Sequence, residues 1–182
     1  MLTREQILGL IPHQGTMCLL DRVLGWSAAE ISCIAISHLA PDNPLRRDGQ
    51  LGAICGIEYG LQAAALHGAL VQWGAMLAVP AVEAAAQHTT ASGLRAAVAP
   101  AGTIGTAATG LGSPTPAYLA SLRAVALNVE RLDDPVFGLL RVTAEAELVA
   151  PSGSIYRFTV ASESARPLLR GRATIAFPGH PA

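Results

Sequence analysis

The sequence contains no lysine, so its basic residues are all arginine, 12 in number. No chemistry that forms a Schiff base on a lysine amine is therefore open to this chain. The arginine-only usage, with abundant alanine, reads as a GC-rich coding bias and carries no functional signal. Charge of either sign is scarce: charged residues make up 14% of the chain against 51% hydrophobic, with a net charge of −1. With a pI near 6.5, nothing in the balance favours global attraction to nucleic acid or to an anionic membrane. So few charges leave room for a surface covered by a partner or a second subunit. The three cysteines, Cys18, Cys33 and Cys55, are odd in number and lie among apolar neighbours. They read as reduced, buried thiols and not as a disulfide framework. No histidine, cysteine or carboxylate set has metal-ligand spacing, and no organic cofactor is implied. The glycine-rich run at 97–116 lacks the Gly-Lys-Ser/Thr ending of a phosphate loop. The N-terminal MLTREQILGLIPHQ carries charge early and has no apolar core before a small-residue cleavage site. A cytoplasmic location is expected on that pattern.

What the chain does have is one long apolar stretch, Gln50 to Gln72, QLGAICGIEYGLQAAALHGALVQ. It reads as a single helix that is apolar on every face, hence buried on every face. At about 20 residues its length would also suit a bilayer, but Glu58 and Gln62 fall at its centre, where lipid would make them costly. The expected alternative is a helix wrapped by a sheet, with no membrane span. Glu58 is the one carboxylate inside. Burying a lone carboxylate costs several kcal/mol unless it is paired or protonated, so a chain that keeps it there is expected to use it. Gln62, four residues on, shares its helix face.

The strands for that sheet are legible on both sides. Thr3 to Gln6 has the form of a capping box opening a short helix that Pro12 closes. Met17–Trp26 and Ile31–His38 read as a hairpin of two strands. The loop Leu39–Gly49 leads into the long helix. Gly74 to Gln87 has room for a second short helix, and a Gly/Ala-rich insertion occupies about 75–115. From Ala117, four alternating runs (Tyr118–Leu132, Leu139–Val149, Ser154–Ser162, Leu168–Phe177), parted by Asp-, Pro- and Gly-rich turns, read as an antiparallel meander. The expectation is one α+β domain over 1–182, with a long central helix and a curved antiparallel sheet of about six strands.

Two motifs give this order a family. Ile11-Pro12-His13 followed by Met17-Cys18-Leu19-Leu20-Asp21-Arg22-Val23 resembles the N-terminal segment of 3-hydroxyacyl-acyl-carrier-protein dehydratases. Gly56-Ile57-Glu58-Tyr59-Gly60-Leu61-Gln62-Ala63 resembles their helix motif, Glu-x-x-x-Gln among small residues. The chain is most similar to the ApeP-like branch, associated with aryl-polyene and related pigment clusters. The resemblance implies a hotdog fold and elimination of water from a 3-hydroxyacyl thioester. A histidine removes the α-proton and a carboxylic acid protonates the departing hydroxyl; the two usually come from different subunits of a dimer. Carried onto this chain, it implies Glu58 as acid and His13 as base. Backbone N–H groups near Ala53 and Ile54 would receive the thioester oxygen, with Gln62 beside Glu58. It implies acyl carrier protein as partner, and a homodimer or a heterodimer with a hotdog paralogue.

One departure matters. The common dehydratases place their histidine in a loop just before the helix, where this chain has Asn43-Pro44-Leu45. Either His13 is the base or the chain is a non-catalytic partner subunit. A hotdog thioesterase, which uses a helical carboxylate toward water, is the third reading. His38 is a lesser candidate base, His67 a core or interface histidine, Cys55 a packing residue, and Asp21 with Arg22 a structural pair. Arg46, Arg47 and Arg170 are the arginines expected to meet an acidic carrier protein.

Overall fold

The computed structural model describes residues 1–78 and 117–177. Seven strands lie among them: β1 Leu2–Thr3, β2 Arg22–Trp26, β3 Glu30–Ala35, β4 Tyr118–Leu127, β5 Leu140–Ala150, β6 Gly153–Ala161 and β7 Pro167–Ala176. They form one antiparallel sheet in the order β1-β2-β3-β5-β6-β7-β4. Helix α1 spans Arg4–Leu8, and the long helix α2 spans Gly56–Ala78. The α+β architecture of one long helix against an antiparallel sheet is as expected; the sheet has seven strands among the described residues where about six were expected, the short β1 not having been foreseen. The insertion beyond residue 78 and the tail from residue 178 lie outside the described residues.

The sheet differs from a plain meander. β5, β6 and β7 follow one another, but β4 pairs with β7 at the sheet edge and β5 pairs with β3. β4 also stops at Leu127, because the chain then turns toward the start of α2. There the Ala53 N–H donates to the Glu130 carbonyl (2.9 Å) and the Leu132 N–H to the Leu51 carbonyl (2.8 Å). Those bonds explain why the long helix does not begin at Gln50. Arg47 and Gln50 bridge each other across a tight turn in which Asp48 and Gly49 both have positive φ, and Gly52 bridges Arg131. Backbone held in ladder-like bonds cannot also be helical, so a 3₁₀ turn, Ala53–Cys55, intervenes. At its other end α2 continues through Gly74 to Ala78, where a second helix was expected to start.

Helix α2 buries Tyr59, Ala63, Ala64, Leu66 and Leu70 against the sheet, whose inward side chains include Val142, Ala144, Tyr156, Phe158 and Leu169. By length and composition Ala53–Gly74 is apolar enough to cross a membrane; here one side of it packs on strands. It is not buried all round, since Ile57, Leu61 and Ala65 are only partly covered. Helix and sheet approach closely where Gly60 and Gly171 face the Phe158 ring from opposite sides, and a Cβ at either would overlap it.

The loop before α2 is clamped by one arginine. Arg46 donates to the carbonyls of Ala40 (2.8 Å), Gly49 (2.6 Å) and His38 (3.1 Å), and to Asp133 Oδ2 (2.7 Å). Arg131 binds the same carboxylate through Nε (2.8 Å) and a terminal nitrogen (2.9 Å). The Asp133 side chain is 2% exposed. The hydrogen-bonded Arg131 guanidinium holds its carboxyl well below the ordinary value of 3.8. Because the folded-state value is depressed, the stability Asp133 contributes is complete above the unfolded value and is lost as the pH falls below it.

Two stability outcomes follow. Gly60→Ala, despite the helix propensity it adds, lowers stability by about 1–3 kcal/mol through overpacking on Phe158, read as a lower urea midpoint. Asp133→Asn costs about 3 kcal/mol at neutral pH, the lower end for removing one partner of a buried pair. In acid titrations followed by circular dichroism, the variant loses less stability than wild type below pH 4.

Candidate active site

His13 lies between α1 and a 3₁₀ turn at Gly15–Met17, on a segment that makes no ladder bonds. Met17–Leu20 was expected to start a strand. Side chains claim its backbone instead. Gln62 Nε2 donates to the Met17 carbonyl (2.8 Å), the Leu19 N–H donates to Gln62 Oε1 (2.9 Å), and Ser37 Oγ donates to the Leu19 carbonyl (2.7 Å). Gln14 Nε2 donates to the carbonyls of Leu8 (2.8 Å) and Ile11 (3.2 Å). Arg4 donates to the carbonyls of Gly15 (3.0 Å) and Leu20 (3.2 Å). A loop held at this many points presents its histidine in one place.

That place is Glu58. His13 Nε2 lies 3.1 Å from Glu58 Oε1, and Gln62 Nε2 donates to the same oxygen at 3.1 Å. Among the described residues nothing donates to Oε2. His13 Nδ1 is sealed from solvent and has no partner among the described residues. The histidine thus meets Glu58 through Nε2, and the carboxylate is held by Gln62 at one oxygen and left open at the other among the described residues.

The setting of Glu58 differs from the expected sealed carboxylate in mid-helix. Its side chain is 29% exposed, that of His13 27%. It sits in the first turn of α2, where the positive end of the helix favours negative charge. Partial exposure and the Gln62 hydrogen bond thus take the place of the sealed apolar pocket that was expected.

The remaining candidates separate. Ala53 is not available as a donor to a thioester oxygen, because its N–H is taken by Glu130; the Ile54 side chain on the same turn is 56% exposed. His38 is fully buried on the 3₁₀ turn Ser37–Leu39. Burial pushes its imidazole down to about 4, and no contact links it to Glu58. His67 is a core histidine, as expected: Nε2 donates to the Ser27 carbonyl (2.9 Å), so Nδ1 accepts from the Tyr156 hydroxyl (2.9 Å). Cys55 packs with its thiol toward the Leu45 carbonyl, and burial pushes that thiol up, away from reactivity. Asp21 and Arg22 are not a pair. Asp21 accepts from the Ile36 N–H (2.6 Å) and faces Arg4 (3.6 Å). Arg46 is spent on the internal clamp and is not a docking residue; Arg47 and Arg170 are exposed.

Sequence reasoning missed Asn43. It opens the stretch where the resemblance implies a loop histidine and is structural: Nδ2 donates to the Ser37 carbonyl (2.8 Å) and the Tyr59 hydroxyl (3.0 Å), and Oδ1 accepts from the Leu45 N–H (3.0 Å). Burial pushes the Tyr59 hydroxyl up to about 12, so it serves as a neutral hydrogen-bonding post. Among the described residues no group of three or more metal-ligating side chains converges.

Comparison with known proteins places these residues. Residues 5–81 match the ApeP-like family model, described as ApeP dehydratase. No curated protein sequence matches the chain. Among solved structures, a chain of the dehydratase heterocomplex ApeI:P from Xenorhabdus doucetiae is similar with a TM-score of 0.67 at 16% identity, covering 98% of this chain and 93% of that one. Zebra fish thioesterase superfamily member 2 is similar with a TM-score of 0.54 at 9% identity, covering 98% of this chain and 100% of that one. At these identities the structural likeness speaks for the fold. The chain thus has the hotdog fold, and the stretch that holds both His13 and Glu58 lies within the residues matched by the ApeP-like family model.

Proposed function

We propose that the protein dehydrates 3-hydroxyacyl thioesters carried by acyl carrier protein to trans-2-enoyl thioesters, with His13 as base and Glu58 as acid. The observation that carries this reading is the 3.1 Å contact between His13 Nε2 and Glu58 Oε1, made by the two residues for which the resemblance predicts those roles.

The geometry dictates how the pair would work. Nδ1 of His13 is sealed, so Nε2 is the nitrogen that meets substrate, and the His13–Glu58 contact opens to admit it. In the active form the proton of the pair sits on Glu58 and the Nε2 lone pair is free. Nε2 takes the α-proton. The C–H electron pair becomes the new C=C bond as the β C–O bond breaks, and Glu58 protonates the leaving hydroxyl, which departs as water. Oε2, which no described residue occupies, is the oxygen placed to hand over that proton. The thioester oxygen gains charge as the α-proton leaves, and the positive end of α2 favours it. After water departs, His13 holds the extra proton and Glu58 lacks one. Closing of the pair lets the proton pass back and resets it.

A hotdog partner, a second copy or a paralogue, fits the β4 edge, where Tyr118, Leu119, Val125 and Leu127 are exposed. Among the described residues no strand pairs with the outer side of β4, and an open edge with apolar side chains is a ready template for another chain. The acidic carrier protein would meet exposed arginines such as Arg47 and Arg170, not Arg46.

The fold shared with a thioesterase keeps hydrolysis as the second reading, in which Glu58 activates water. Expected for the dehydratase is enoyl product without free thiol; stoichiometric thiol release would select the thioesterase. Glu58→Gln and His13→Ala are each expected to lower kcat by about 10²–10⁴-fold with folding retained. Equal turnover by wild type and both variants would move catalysis elsewhere and favour a non-catalytic partner subunit.

A further inference from the structure

This inference rests on the dehydratase reading and concerns where the two proton-transfer groups of one site come from. We infer that each chain carries a complete acid–base pair, and that a partner subunit supplies wall and not chemistry. The resemblance implies the opposite, a base from one subunit and an acid from the other.

Three observations carry it. His13 and Glu58 meet within a single chain at hydrogen-bond distance. The parts that hold them are common to both: Gln62, one turn beyond Glu58 on α2, grips Glu58 and, through the Met17 carbonyl and the Leu19 N–H, the segment that carries His13. Moving His13 into a neighbour's site would break those bonds, leave the buried Gln62 amide with Glu58 as its one remaining partner among the described residues and release the Arg4 bonds to Gly15 and Leu20; leaving part of a buried amide unsatisfied is costly. Lastly, the stretch Asn43-Pro44-Leu45, where the resemblance implies a loop histidine, holds none, and its Asn43 amide, which does not act as a base near neutral pH, is committed to Ser37, Tyr59 and Leu45. A second copy therefore brings no base. Roughly a quarter of each dyad side chain stays exposed, an opening for a subunit to cover.

The test is a mixed assembly. Wild-type chain with one affinity tag is co-expressed with the double variant His13→Ala/Glu58→Gln carrying another, and the species that binds both resins is assayed for enoyl product. A pair within one chain leaves one working site of two, so about half the wild-type rate is expected for a symmetric dimer. A site shared between subunits leaves none, and a rate at the double-variant background overturns the inference. The complementary mixture of His13→Ala with Glu58→Gln chains is expected to stay at background; recovery there overturns it as well. Should no doubly tagged species form, turnover by the lone wild-type chain supports the inference directly. A wild-type preparation that makes no enoyl product overturns the dehydratase reading and this inference together, whereas a productive wild type with a silent mixed assembly overturns this inference alone.

Discussion

The structure turns on the hold that Gln62 exerts. This fully buried amide joins α2 to the irregular segment before β2 and, with its remaining hydrogen, fixes one oxygen of Glu58. Without it, among the described residues, the His13 segment would have no hydrogen bond to the long helix. A glutamine suits the task because its amide offers an acceptor and two donors. All three capacities are used: one backbone N–H, one backbone carbonyl and one carboxylate. The segment thereby gives up ladder hydrogen bonds that a strand would have formed, and gains a fixed histidine.

The loop before α2 is fixed by a different device with the same logic. Arg46 ties three carbonyls and Asp133 together, which sets where the chain leaves the tight turn at Asp48-Gly49 and hence where α2 begins. That placement puts Glu58 in the first helical turn, where the helix dipole acts on it. Polar side chains serving backbone groups thus position both members of the dyad, while the apolar contact of α2 with the sheet supplies the platform.

Much of this was legible in the sequence. The helix is announced by its uninterrupted apolar run, and Glu58 stands out because it is the single carboxylate in that run. Gln62 follows from helical spacing. His13 has no comparable local signal; only its place in a family-like segment marks it. What the sequence could not display were bonds between distant residues. Arg46 and Asp133 lie 87 positions apart, and Asp133 looks like an ordinary turn residue before proline. Asn43 and Tyr59 likewise meet only in the fold. Helix start and strand ends were misplaced wherever such bonds overrode local pattern, as at Gln50–Gly52 and Met17–Leu20. The placement of β4 at the sheet edge depends on pairing preferences that alternation alone does not encode.

The central claim is that His13 and Glu58 lie in direct contact within one chain before substrate arrives. Nitrogen-15 spectra of the histidine rings test it most directly, with His67, held by Tyr156 and Ser27, as internal reference. The account predicts that Glu58→Gln moves the His13 ring signals and leaves those of His67 in place. His13 signals identical in the variant and the wild type would contradict it.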